Sequence, residues 1–391
     1  MRIVIPLLQH VGKPATAVVS SGDYVDRGML IAKPEGLGAN IHASLSGLVK
    51  EVNSKEIVIE AASLEEEVFV PIKETRDPLE AIREAGIVGA GGAGFPTYVK
   101  VESIKNARLV VANGTECEPL LQHNLRFMQE NPESLARGLK YLQEITGAPL
   151  AVVVLKRKNY RLAAVLEKAF AADKRVRVKL LPDLYPAGDE RVVVRELIGL
   201  ELEPGQLPSE AGVLVQNVET IKRVAEAVEL RKPFISKDIT VAGRVMGAAK
   251  GRTFMDVAIG LPAGFFINAA GGFLEPHGEI VIGGPFTGKS GTEKSPVTKT
   301  TGGIMVGMPF PQAEGLLGLL ACECGAQEDR LEEIARGMGV EVTVMVRCKR
   351  MEEVNGRYRC SKPGVCPGQA ESVFALKNKG ARAILAGSCE D

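Results

Sequence analysis

Between Gly86 and Lys100 the chain reads GIVGAGGAGFPTYVK, with Gly89, Gly91 and Gly94 spaced G-x-G-x-x-G and Gly92 between them. Backbone N–H groups with no Cβ in the way can close around a phosphate, and Lys100 can neutralise it. A dinucleotide fingerprint needs a strand entering the glycines and a helix leaving them. Here RDPLEAIREAGIV comes first, with Pro78 near its start and Leu79, Ile82, Arg83 and Ala85 at helical spacing. A helix is therefore expected to enter the loop, and Pro96 delays any helix after it. Taken alone, the motif fits a phosphate cradle or a flexible turn.

Three further stretches carry polar side chains suited to a cofactor. NGTECEP holds Asn113, Glu116 and Glu118; YPAGDE holds Tyr185, Gly188, Asp189 and Glu190; QNVET holds Asn217, Glu219 and Thr220. The first and third follow apolar strand-like runs. Polar groups at strand C-termini are where open α/β sheets bind ligands. Such side chains can hydrogen-bond ribityl hydroxyls, a ring edge or a ribose. Glu219 has a second reading, as an acidic residue in the first turn of the next helix.

One motif argues for different chemistry. GGPFTGKS, from Gly283 to Ser290, matches the Walker A letters. A P-loop must open a helix, and the following GTEKSPVTKTTGG contains Pro296 and too much Gly, Ser and Thr to start one. A hairpin with a surface lysine is expected instead.

The elements behind these motifs fall into successive blocks. Residues 1–72 have short β-rich runs broken by glycine turns, as in the barrel-sandwich fold of lipoyl and biotinyl carriers. The corresponding hairpin, EGLGANIHAS, lacks the carrier lysine, so a scaffold or docking role is expected, with His42 a surface or packing residue. In 73–235, LVVANG, LAVVVL, VRVKLL and GVLVQNV alternate with amphipathic helices, which argues for a parallel sheet. Residues 236–300 suggest a small β-grasp-like module, with DITVAGRVM and GEIVIGGPF as strands and TFMDVAIG as a short helix. Residues 301–391 return to α/β.

The totals exclude several classes. The chain has 391 residues, and its 48 basic residues balance 48 acidic ones, so nothing argues for nucleic acid or an anionic membrane surface. No signal peptide or membrane span is expected. Seven cysteines is an odd number for a disulfide framework, and a reducing, cytoplasmic setting follows.

In order, GAGGAGFPTYVK, NGTECEP, YPAGDE and QNVET resemble the flavin- and NADH-binding subunit of respiratory complex I, and still more the RnfC-type subunit of Rnf electron-transport complexes. The resemblance covers about residues 1–300. It implies a multidomain α/β protein: barrel-sandwich (1–72), Rossmann-like FMN/NADH domain (73–235) and β-grasp domain of the soluble-ligand-binding type (236–300); the cysteine-containing C-terminal α/β domain (301–391) lies beyond it and is read from its strand and helix alternation. It implies FMN near Gly89, Gly91, Gly92, Gly94 and Lys100, with NADH stacking on the flavin. Asn113, Glu116, Glu118, Gly188, Glu190, Asn217 and Thr220 would complete the pocket. Thr115 stands where the complex I pattern has Asp, which puts one contact in doubt.

The C-terminal cysteines depart from the Rnf pattern. No C-x-x-C-x-x-C-x-x-x-C-P repeat for iron–sulfur clusters occurs in these residues. A thiol route is the obvious substitute. This resembles the proline reductase-associated electron-transfer protein of amino-acid-fermenting bacteria, often a selenoprotein, which implies D-proline reductase or a similar reductase as partner. Cys389 in GSCED is the candidate redox thiol. It would form C-x-x-C or C-x-x-Sec if the natural product continued with cysteine or selenocysteine at position 392; a natural end of the chain is the alternative. Cys117 reads as packing, Cys322 and Cys324 form a C-x-C that would be strained as a disulfide, and Cys348, Cys360 and Cys366 could hold a metal with a fourth ligand, although their spacing matches no common zinc or cluster pattern. Two rival readings stand: a cluster-bearing Rnf-type or cobalamin-reductase-type protein, and a non-catalytic adaptor that has lost flavin.

Overall fold

The computed structural model describes residues 1–340, 343–366 and 368–387. Cys389 lies outside the described residues, so its expected role has no structural test.

At the N-terminus the strands Arg2–Pro6, Glu56–Ala61, Gly47–Val52 and Tyr24–Val25 form one antiparallel sheet in that order. A smaller sheet of Thr16–Ala17, Leu30–Lys33 and Ile41–His42 accompanies it. Alternation sends Ile3, Ile5, Ile57 and Ile59 into the core. This is the expected barrel-sandwich. His42 proves a packing residue: it is buried, and burial beside Lys299 lowers its pKa to about 3.

The second unit holds a parallel sheet in the order Val176–Leu181, Ala151–Lys156, Leu109–Asn113, Val213–Asn217. Chain order within it is 3-2-1-4, so the direction of winding reverses between the last two strands. There Asn113 and Asn217 are register partners at the strand C-termini, at the switch point where such sheets bind ligands. Helices Pro132–Thr146 and Val218–Glu229 pack on one face. Gly138 makes their closeness possible, because a Cβ there would lie 2.4 Å from the Ile221 carbonyl oxygen.

The third unit is a five-stranded sheet in the order Arg252–Ala258, Ser236–Gly243, Gly303–Val306, Ile280–Ile282, Lys289–Gly291. TFMDVAIG, expected as a short helix, contributes Thr253 to Ala258 to the strand Arg252–Ala258 instead. Antiparallel pairing with Ser236–Gly243 decides its state, and Thr253, Phe254 and Val257 suit a pleated surface. Gly303–Val306, beyond the expected boundary at 300, pairs with both Ser236–Gly243 and Ile280–Ile282.

The final unit has a parallel sheet in the order Thr343–Arg347, Leu317–Ala321, Ala383–Ala386, flanked by helices Glu328–Gly337 and Ala370–Asn378. An added hairpin, Met351–Val354 with Arg357–Cys360, turns at Asn355 and Gly356, both at positive φ, as a two-residue hairpin turn requires. Among the described residues no helix is long and apolar enough to cross a membrane.

Candidate functional site

The glycine loop is a tight hairpin placed over the switch point. Helix Pro78–Glu84 enters it, capped by Asp77. Gly89 N–H donates to the Phe95 carbonyl at 2.9 Å and Gly94 N–H to the Gly89 carbonyl at 3.1 Å. Helix Thr97–Glu102 starts only after Pro96. Gly92 has φ +108 and open space where a Cβ would stand, at an exposed position. Gly91 lies against Asn217, where a Cβ would come within 2.9 Å of Nδ2. Gly94, at φ +65, backs onto Thr300 and His10.

What fixes the loop is Thr220. Its buried hydroxyl accepts from the buried Ala90 N–H at 3.0 Å. Thr220 thus reaches the site through the loop. Asn217 caps its own helix by accepting from the Glu219 N–H at 2.8 Å, which leaves its amide nitrogen facing Gly91. Glu219 itself is drawn away: its carboxylate accepts from Asp238 N–H at 2.8 Å, from Arg223 at 3.1 Å and from Lys237. It binds the helix to strand Ser236–Gly243.

Opposite the glycine loop, NGTECEP and YPAGDE are joined. Asn113 Nδ2 donates to the Gly188 carbonyl at 2.9 Å, and Gly188 N–H donates to Cys117 Sγ at 2.7 Å. A Cβ on Gly188 would lie 2.6 Å from Thr115 Oγ1 and 2.9 Å from Cys117 Sγ, so the crossing is built for glycine. Thr115 is buried and donates to Asn113 Oδ1 at 2.8 Å. Its hydroxyl orients the carboxamide, a job an acceptor-only carboxylate would not do. Lys100 pairs with Glu190 at 2.5 Å, both partly exposed.

The two glutamates of NGTECEP separate in role. Glu116, at φ +33, accepts from Asn124 Nδ2 at 2.8 Å; burial raises its pKa to about 7. Glu118 turns to the third unit, where it accepts from Phe286 N–H at 2.8 Å, Thr287 N–H at 3.0 Å and Thr287 Oγ1 at 2.5 Å. The cradle in GGPFTGKS therefore holds this protein's own carboxylate, and a strand, Lys289–Gly291, follows it. Tyr185 packs its ring edge on Phe286 at 4.8 Å and donates its hydroxyl to the Cys324 carbonyl.

The Thr220–Ala90 bond, the Asn124 partner of Glu116 and the acceptor role of Cys117 had no counterpart among the sequence expectations. Cys117, inside NGTECEP, and Thr220, inside QNVET, carried a local signal, but their partners did not. For the metal reading of Cys348, Cys360 and Cys366, among the described residues no group of His, Cys, Asp or Glu is arranged to hold an ion.

Comparison with known proteins decides the family. Residues 1–73 match the RnfC barrel sandwich hybrid domain and residues 82–226 the Nuo51 FMN-binding domain. The RnfC-type subunit of the proton-translocating ferredoxin:NAD(+) oxidoreductase complex of Clostridium ljungdahlii is 35% identical over 324 residues, 78% of this chain and 70% of its own length. This chain belongs to the RnfC family. The corresponding protein of the Na(+)-translocating complex of Acetobacterium woodii is 32% identical, over 78% of this chain and 72% of the relative. Cobalamin reductase PduS of Salmonella typhimurium is 35% identical, over 71% and 57%. The NAD+-reducing [NiFe]-hydrogenase in the H2-reduced state shares the fold at TM-score 0.50 and 24% identity, covering 60% of this chain and 47% of that one.

Residues 82–226 are thus the FMN-binding oxidoreductase domain of this RnfC-type chain. The residues present fit FMN: an open glycine cradle at Gly92, Asn113 and Asn217 at register positions on either side of the switch point, and a buried hydroxyl at Thr97 with no partner, just beyond the loop.

Proposed function

We propose that the chain is an NADH-dependent, flavin-linked electron-transfer protein that hands reducing equivalents to a partner reductase. The observation that carries this reading is the pairing of Asn113 with Asn217 across the switch point, under a glycine loop fixed by Thr220. FMN, when bound, would take a hydride from NADH and pass electrons on.

The chain's own residues bind and orient. Gly91, Gly92 and their neighbours present backbone N–H groups to the phosphate, and Lys100 balances its charge while Glu190 holds the lysine in place. Asn113, set by Thr115 and Gly188, keeps a second amide N–H, and Asn217 its amide nitrogen, to offer to the ribityl chain or ring edge. Glu116, able to hold a proton near neutral pH, modulates charge beside the site.

We read the chain as four domains, 1–72, 73–235, a β-grasp module from 236 extended to Val306, and the remainder, working in the cytoplasm. The C-terminal cysteines, Cys389 among them, and the absence of cluster repeats from these residues favour a thiol acceptor. D-proline reductase, implied by the family resemblance of the cysteine-bearing segment, is the first partner to test. A second reading is favoured by the similarity to proteins of the translocating complexes of C. ljungdahlii and A. woodii: service within an Rnf-like membrane complex.

Anaerobic titration of the protein with FMN, then NADH, tests the core of this. A bound-flavin absorption band bleached by NADH is expected. Failure to bind FMN sinks the reading and leaves a flavin-free adaptor.

A further inference from the structure

Four thiols meet on the face of the C-terminal unit that touches the FMN domain. Cys322 and Cys324 leave the C-terminal end of strand Leu317–Ala321, and Cys348 follows the neighbouring strand Thr343–Arg347. Ala321 and Arg347 are register partners, and Cys348 N–H donates to the Ala321 carbonyl at 2.9 Å. Cys360 ends the hairpin strand Arg357–Cys360. The Cys324 thiol hydrogen-bonds with both Cys322 and Cys360, and Cys322 also with Cys348.

Glu323 holds these segments together. Its carboxylate accepts from Arg191 at 2.9 Å, from Arg359 at 2.8 Å and from Cys360 N–H. The cluster is fixed to the FMN domain through the segment that carries Gly188 and Glu190. Tyr185 donates to the Cys324 carbonyl, Arg191 to the Cys360 carbonyl at 2.7 Å, and Arg195 to the Pro363 carbonyl at 2.8 Å.

We propose that Cys324 and Cys360 form a reversible disulfide that takes up an electron pair at the edge of the FMN domain. This rests on the flavin reading for its electron donor, a dihydroflavin, and not for the disulfide itself. On oxidation the two thiols lose two electrons and two protons as the S–S bond forms. On reduction two electrons and two protons return, the S–S bond breaks and both thiols are restored. A disulfide in a partner reductase accepts the pair by thiol–disulfide exchange.

The chemistry of the neighbours agrees. Hydrogen bonding from Cys324 lowers Cys322 to about 6 and Cys360 to about 7 and raises Cys324 itself, so the cluster holds a thiolate beside a protonated Cys324 near neutral pH. Thiolate beside thiol is the arrangement from which exchange proceeds. A Cys322–Cys324 bridge would span nearby positions of one strand end, poor geometry for a disulfide. Cys322 and Cys348 follow neighbouring strands, but the bonds that reach the Tyr185–Arg195 segment run through the carbonyls of Cys324 and Cys360. Cys366 is exposed and shares Gln369 with Cys348.

The test uses the full chain without added flavin. The protein is reduced, treated with stoichiometric diamide, alkylated with iodoacetamide and mapped by mass spectrometry. One disulfide, Cys324–Cys360, reversed by dithiothreitol, is expected; Cys360→Ser should lose it and Cys348→Ser keep it. Full alkylation of all thiols, a Cys322–Cys348 bridge, or thiols unreactive until a chelator strips a metal would each overturn the proposal. FMN uptake by the untreated protein is measured in parallel. Uptake without the disulfide refutes the proposal and leaves the flavin reading standing. The disulfide without uptake supports the proposal and removes its flavin donor.

Discussion

Thr220→Val separates loop positioning from mere packing. Valine keeps the volume and removes the acceptor, so the buried Ala90 N–H loses its 3.0 Å partner. An unsatisfied buried donor costs about 1–3 kcal/mol. The loop can relieve this by moving, but motion draws Gly91 off Asn217 and opens the cradle. If the whole cost falls on loop position, FMN affinity drops roughly 5- to 150-fold. Thr220→Ser keeps the hydroxyl and should stay within about 3-fold of wild type, a difference under about 1 kcal/mol. The assay is quenching of FMN fluorescence, with urea unfolding of the flavin-free protein as a check on the fold. Two results would refute the reasoning: Thr220→Val with unchanged affinity, or Thr220→Ser as damaging as Thr220→Val. The second would place the effect in the methyl group.

Gly188→Ala should cost about 1–3 kcal/mol of stability through overpacking against Thr115 and Cys117 and lower FMN affinity, read by thermal melting and the same quenching assay; pairing it with Thr115→Ala should recover part of the loss. Glu116 has its pKa raised to about 7 in the fold from an ordinary 4.5, so near pH 6 the native state holds a proton that the unfolded chain has released. Its contribution is fully present below about pH 4.5 and is lost as pH rises through 7, by up to about 1.4 kcal/mol per unit. Glu116→Gln should flatten that slope in urea titrations of the flavin-free protein from about pH 5 to 7.5. Buried Lys299, donating to the Asn40 and Gly86 carbonyls at 2.6 and 2.7 Å, is lowered to about 7 by desolvation. Its contribution is present above its unfolded value of 10.5 and lost as pH falls through 7, so Lys299→Met should remove a positive stability slope between about pH 7 and 9.

The FMN-domain sheet was legible because each strand is a short apolar run with a helix after it, and its polar residues sit at strand ends, where position implies a ligand. Asn113 and Asn217 could be picked from local pattern. Thr220 could be picked as a member of QNVET, but its partner could not: the hydroxyl and the Ala90 amide are 130 residues apart. The same holds for Glu118, whose acceptor role depends on amides 168 and 169 residues away. TFMDVAIG misled because its apolar residues satisfy no clean period, and the strand Ser236–Gly243 beside it settles the matter. The Asn355–Gly356 hairpin differs, since a strong local turn signal was present but lay among charged residues that look like loop.

These long-range partners have a common address. Each loop of the candidate site is fastened from behind by another unit of the chain. The Gly94 carbonyl accepts from Val11 N–H at 2.9 Å, Gly94 packs on Thr300, and Lys299 ties Gly86 to Asn40. Glu118 is held by the third-unit hairpin, and Tyr185 and Arg191 by the thiol-bearing segment. A parallel sheet alone leaves the loops at its C-terminal edge mobile, because loops bury little apolar area of their own. Here the flanking units supply that burial. The barrel-sandwich and the third unit therefore act on the candidate site as supports, and the C-terminal unit meets the domain from outside it through the segment that bears the thiols. Loosening a support, as Glu118→Gln would by placing an N–H donor where two backbone donors already point, should weaken FMN binding in the quenching assay without altering any residue that faces the cradle.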